Sequence, residues 1–199
     1  MIFSVVLTAF VLVAPVELPD KTMFATLALA SRFRPLPVLT GVCLAFALQA
    51  GIAVAAGSLL SLLPREWVAV GVALLFAVGT VLLWRSAEES SFPEERAAAA
   101  HKDWPAWRIA LTSFGVTFLA EWGDLSQLAT AGLAARYDAP VSVFVGSFAA
   151  LALIASLAVF VGAKLVTRLP IRLVRRTAAV LFAGFAALAA YEAISAFAG

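Results

Sequence analysis

Apolar residues in this 199-residue chain run in six long blocks, at about 3–31, 37–63, 67–84, 108–135, 140–164 and 173–197. A helix needs roughly 20 apolar residues to cross the hydrocarbon core of a bilayer, and these blocks meet or approach that length. Short polar breaks carry Arg and Pro, as in Arg32-Phe33-Arg34-Pro35, Pro64-Arg65-Glu66 and Arg168-Leu169-Pro170. The longest break, Arg85 to Trp107, gathers Glu88, Glu89, Glu94, Glu95 and Asp103 and ends on Trp104 and Trp107, aromatics suited to a membrane interface. The pattern predicts an all-α integral membrane protein of six transmembrane helices.

The two halves repeat each other at an offset of 104 to 106. Glu17 and Asp20 fall on Glu121 and Asp124, Thr22 on Ser126, and Ala25-Thr26 on Ala129-Thr130. Arg32-Phe33 matches Arg136-Tyr137, Leu63-Pro64 matches Leu169-Pro170, and Leu75-Phe76-Ala77 matches Leu181-Phe182-Ala183. Three spans per half is an odd number, so the second copy enters the membrane the other way up. The expected plan is two inverted three-helix repeats, 1–84 and 108–199, joined by a linker at 85–107. Loop charges set the orientation. Arg32, Arg34, Arg85, Arg96, Lys102, Arg108, Lys164, Arg168, Arg172, Arg175 and Arg176 fall on one side, against Arg65 and Arg136 on the other. Positive loops stay cytoplasmic, which makes the linker cytoplasmic and puts both termini outside.

Composition agrees and removes other classes. The chain is 63% hydrophobic and 13% charged, with a mean hydropathy of +1.02. A net charge of +2 argues against a nucleic-acid partner. The single Cys43 leaves no disulfide framework and no thiolate metal site. Met1-Ile2-Phe3-Ser4 lacks a basic n-region and the first apolar run is too long for a secretory signal peptide.

The candidate chemistry lies in two short segments, Glu17-Leu18-Pro19-Asp20-Lys21-Thr22 and Glu121-Trp122-Gly123-Asp124-Leu125-Ser126, at the centres of spans 1 and 4. A carboxylate at mid-bilayer costs at least about 2.5 kcal/mol, so four of them imply a polar cavity with something to hold. Residues three apart share a helical face, so each span presents two acids together. Thr22, Ser126 and Gln127 add oxygens. Pro15, Pro19 and Gly123 predict bent or broken helices whose freed carbonyls line the cavity. An all-oxygen, carboxylate-rich set suits Mn²⁺, Ca²⁺ or Mg²⁺ better than copper or zinc. Lys21 reads as a counter-charge, since an ammonium cannot ligate a metal.

The doubled Glu-x-Gly-Asp-(Lys/Arg)-(Thr/Ser) motif on spans 1 and 4 resembles the GDT-one family, which includes bacterial manganese exporters and Golgi manganese/calcium–proton exchangers. Pro19 stands where the pattern has Gly, Leu125 where it has Lys or Arg, and Met23 where Gln would mirror Gln127. The resemblance implies that Glu17, Asp20, Glu121 and Asp124 are cation ligands with Thr22, Ser126 and Gln127 beside them. It further implies a secondary transporter, not an enzyme, that exports a divalent cation, Mn²⁺ first and Ca²⁺ next, in exchange for protons. A bacterial inner membrane is the expected location. No tightly bound cofactor is expected, the cation being cargo, and a homo-oligomer is compatible with the sequence.

Two other functions compete: an exporter of small organic solutes on a related fold, and an intramembrane aspartyl protease, which Trp122-Gly123-Asp124 superficially suggests. The first needs a larger polar or aromatic pocket, while aromatics near the two motifs are few apart from Trp122, and the second leaves the paired glutamates without a role. Other polar residues have plainer readings. Gln49 reads as a helix–helix hydrogen bonder, Glu192 as an interfacial residue near the outer end of span 6, and His101 as an isolated loop histidine. Gly41, Gly57, Gly146, Gly162 and Gly184 read as packing faces.

Overall fold

The computed structural model describes residues 1–18, 21–60, 62–86, 104–160 and 171–198. They form eight helices: α1 (Phe3–Glu17), α2 (Lys21–Arg32), α3 (Pro35–Leu60), α4 (Arg65–Ser86), α5 (Ala106–Ala120), α6 (Leu125–Arg136), α7 (Pro140–Phe160) and α8 (Ile171–Ala198). Expected spans 1 and 4 are each two short helices, while the other four expected spans are each a single helix. Proline marks the starts in both halves. Pro35 and Pro140 are the first residues of α3 and α7, where a missing N–H costs nothing. Pro15 lies in the last turn of α1, which ends two residues later at Glu17, so span 1 breaks between Pro15 and Pro19 as expected. Among the described residues three helices are long and apolar enough to cross a membrane (Pro35–Leu60, Pro140–Phe160 and Arg176–Ala196), and Phe3–Glu17, Trp67–Leu82 and Ala106–Ala120 are shorter apolar ones. Leu44, Leu74, Leu111, Leu153 and Val180 point outward on these helices, as lipid-facing residues must. His101 and Gly162 lie outside the described residues.

The packing repeats when the halves are exchanged. The α3·α5 contact corresponds to α7·α1, α3·α6 to α7·α2, α2·α5 to α6·α1, and α2·α3 to α6·α7; α3·α7 and α4·α8 map onto themselves. Contacts of α4 with α6 and of α1 with α8 depart from this exchange. Glycines permit the closest approaches. A Cβ on Gly41 would collide with the Ala110 carbonyl and Ser113 of α5, and one on Gly146 with the Val6 carbonyl and Ala9 of α1. These are equivalent positions in the repeat. Gly57 sits against Ala131 in the same manner, whereas Gly184 faces open space and is not a packing glycine in this chain. On α4 and α8, the matched Phe76 and Phe182 meet edge to face at 5.0 Å and are both fully buried.

Candidate functional site

Each helix break falls at a carboxylate. α1 ends on Glu17, 1% exposed. Glu121, 6% exposed, caps α5 and donates its N–H to the Thr117 carbonyl. Gly123 then turns the chain at φ +77°, a left-handed value that costs glycine little. Asp124 precedes α6 in extended conformation, and its Oδ2 accepts from the Ser126 N–H at 3.3 Å and the Ser126 hydroxyl at 3.2 Å. It is therefore the N-cap of α6 as well as an acid at the site. Gln127 clamps the break, accepting from the Gly123 N–H at 3.2 Å and donating to the Glu121 carbonyl at 3.2 Å.

The fold brings these acids together across the two halves. Carboxylate oxygens of Glu17, Glu121 and Asp124 all lie within 4.8 Å of one another. Two oxygens on opposite sides of one Ca²⁺ are up to about 5 Å apart, so a single ion reaches all three. Glu17 and Glu121 both stand at helix C-termini, where the backbone adds roughly half a negative charge each. Those two fields add to the carboxylates of Glu17 and Glu121, whereas the N-terminus of α6 at Asp124 carries the opposite partial charge.

A cavity lies beside the cluster. Glu17, Glu121, Ser126, Gln127 and Thr130 form its polar wall together with Gln49 of α3; Phe46, Ala50 and Leu151 form its dry wall. It has about 10 Å³ for the centre of a water-sized particle, enough for one water or one bare cation. Pockets for organic ligands are typically about 300 Å³ or more, so this space does not fit an organic solute. Gln49 donates its Nε2–H to the Phe118 carbonyl at 3.1 Å. The expected helix–helix hydrogen bond is present, and the same residue also lines the cavity. Thr130 Oγ1 lies 2.7 Å from the Ser126 carbonyl and 3.0 Å from Ser147 Oγ of α7, tying the start of α6 to a long helix.

Of the residues singled out by sequence, Glu17, Glu121, Asp124, Ser126 and Gln127 converge here. Asp20 and the side chains of Lys21 and Thr22 lie outside the described residues. Met23, where a glutamine would mirror Gln127, is 3% exposed and packs against Ile154 and Ala158 instead. Glu192 is half exposed and pairs with Arg136 at 2.7 Å, so it fastens α8 to the end of α6, away from the acids. Gln49, Phe46 and Thr130 were not legible as site residues. The usable signals were the mid-span depth of Gln49 and the repeat of Thr26 at Thr130.

Comparison with known proteins gives a consistent result. The family described as "Divalent cation/proton antiporter GDT1" matches residues 5–91 and 109–197, both halves of the fold. A GDT1-like protein of Synechocystis sp. is 36% identical over 150 residues, covering 67% of this chain and 73% of its own length. A Vibrio cholerae protein bearing the name "Putative manganese exporter" is 32% identical over 187 residues, covering 91% of this chain and 88% of its own. GDT1-like protein 3 of Arabidopsis thaliana is 30% identical over 204 residues, covering 92% of this chain and 69% of its own. No solved structure matches. An integral membrane chain with acids from both halves converging on one small cavity, matched along nearly its whole length, belongs to the GDT1 family of divalent cation/proton antiporters, which are transporters and not enzymes.

Proposed function

We propose that the chain exports a divalent cation, Mn²⁺ before Ca²⁺, in exchange for protons, with Glu17, Glu121 and Asp124 as ligands and Asp20 as the fourth acid. The convergence of three carboxylate oxygens within 4.8 Å at two helix breaks carries this reading. The name of the Vibrio cholerae relative favours Mn²⁺, and so does the oxygen chemistry. The exchange-matched packing supports six spans arranged as two inverted repeats, and the loop charges support outward termini.

The exchange follows from electrostatics. Clustered carboxylates beside a small cavity repel one another, and donors such as the Ser126 N–H on Asp124 offset only part of that charge. A divalent cation relieves most of that charge. When it departs, protons take the same oxygens, so at any moment the site carries metal or protons but not both. Ser126, Gln127, Gln49 and Thr22 then supply neutral oxygens to the ion as it sheds water.

Reconstituted protein provides the test. Glu17→Gln, Glu121→Gln and Asp124→Asn should each lower Mn²⁺ flux about 100-fold with the protein still inserted, and parent flux should follow an imposed pH gradient. Near-parent flux in all three variants would remove the ligand assignment, and flux indifferent to pH would exclude protons as the exchanged ion.

A further inference from the structure

Three hydroxyls sit deep in the structure without a hydrogen-bond partner among the described residues: Thr26 of α2 and Ser113 and Thr117 of α5. They are 1%, 0% and 1% exposed. Leaving a buried hydroxyl unpaired is costly, and helices have a ready remedy, a bond back to the carbonyl one turn earlier. Thr80, Thr130 and Ser156 in this chain all adopt it, at 2.7–2.8 Å. Thr26, Ser113 and Thr117 do not.

Their placement is one-sided. α2, α3 and α5 pack against one another, and α6, α7 and α1 form the equivalent seam in the exchanged half. At the positions equivalent to Ser113 and Thr117, the second seam has Ala9 and Val13, both fully buried and apolar. Thr130, the equivalent of Thr26, is satisfied by Ser147, whose own equivalent on α3 is the apolar Val42. Among the described residues, one seam thus carries three unmet hydroxyls and the other none. Ser113, Thr117 and Glu121 are four apart, so they climb one face of α5 in steps of about 6 Å towards the site. At the foot of this face Ile109, fully buried against Val38 and Val42, closes the seam, with the rings of Phe33 and Trp104 tilted against each other at 5.6 Å nearby.

We propose that the α2–α3–α5 seam is a water path: when α5 moves away from α3, a file of water enters past Ile109, is hydrogen-bonded by Ser113, Thr117 and Thr26, and connects Glu121 to the end of the molecule that holds Arg32, Arg34 and Arg108. The α6–α7–α1 seam stays dry along Ala9 and Val13. One water with hydrogen bonds of about 2.8 Å at either end spans roughly 4.5–5.6 Å, so about two waters fill each step of about 6 Å and the hydroxyls anchor a continuous file. The inference rests on the carboxylate cluster being the ion site, because that is where the path ends.

Cysteine accessibility tests it in the full-length transporter with Cys43→Ala as background. Ser113→Cys, Thr117→Cys, Ala9→Cys and Val13→Cys are each exposed, from one side of the membrane at a time, to a charged membrane-impermeant methanethiosulfonate. Ser113→Cys and Thr117→Cys should react at least about tenfold faster than the other two, and from the side of the α5 N-terminus. Equal rates at the four positions, or faster reaction from the opposite side, would overturn the proposal. Should a cysteine variant fail to insert, water contact at residues 109–117 is read in the Cys43→Ala protein by hydroxyl-radical footprinting against residues 5–13, and equal labelling of the two stretches would equally overturn it. Glu121→Gln separates the two readings: if it transports normally the site assignment fails whatever the labelling pattern, and if it is inactive while Ser113→Cys stays unreactive only the water path fails.

Discussion

Glu17 and Glu121 occupy equivalent ends of equivalent helices, yet their surroundings differ, and the difference comes from single residues. The second break is clamped by Gln127 and capped by Asp124, whereas the residue aligned with Gln127 is Met23, packed into an apolar cluster. Gln49 approaches from α3 and offers an amide to the cavity that its counterpart on α7, Ile154, does not. Gln49→Leu should therefore raise the Mn²⁺ concentration for half-maximal flux about tenfold, with maximal flux less affected, as expected of a residue that supports ligands; saturation curves in proteoliposomes would measure it. The acids were legible because ionised groups at mid-bilayer depth have few structural uses. Gln49 was legible only as a hydrogen bonder, because spacing along one helix does not say which neighbour its face meets. Ser113 and Thr117 gave no signal at all, since hydroxyls in apolar helices are ordinarily satisfied by their own backbone.

At the scale of elements, breaks and close approaches decide the architecture. Gly123 was legible as a break because only glycine enters a left-handed turn cheaply, and the structure gives it φ +77°. Pro15 was legible in the same way: a proline removes one donor and weakens the helix, and α1 carries it in its last turn and ends two residues on, at Glu17. The glycines divide in a way that sequence could not supply. Gly41 and Gly146 press against neighbouring backbone while Gly184 faces open space, because the contact depends on which helix lies opposite. Gly41→Ala and Gly146→Ala should each destabilise the protein by about 1–3 kcal/mol through overpacking. Gly184→Ala should stay within about 0.5 kcal/mol of the parent or gain slightly from helix propensity. Thermal unfolding of the three variants in one detergent would rank them.

For the whole molecule, the matched segments lead the sequence to a duplication, and helix contacts among the described residues repeat when the halves are exchanged. Orientation rests on the loop charges, of which Arg96, Lys102, Lys164 and Arg168 fall within 87–103 and 161–170. A reporter active only in the cytoplasm should function when fused within 85–107 and fail at Gly199; activity at both would contradict an inverted arrangement. The departures from exchange carry a further consequence. If the halves are structurally interchangeable, a second conformer of equal standing exists in which each half adopts the shape its partner has now, and alternating access is the passage between the two. Today α6 leans on α4, with Gly132 beside Val72. In the alternate conformer α2 must lean on α8 instead, bringing Ala28 to Ala178. A disulfide engineered at Val72 and Gly132 should then trap the present conformer, and one at Ala28 and Ala178 the other. Each should abolish Mn²⁺ flux reversibly with reductant, and the Mn²⁺ gradient should shift crosslinking yield between the two pairs in opposite directions.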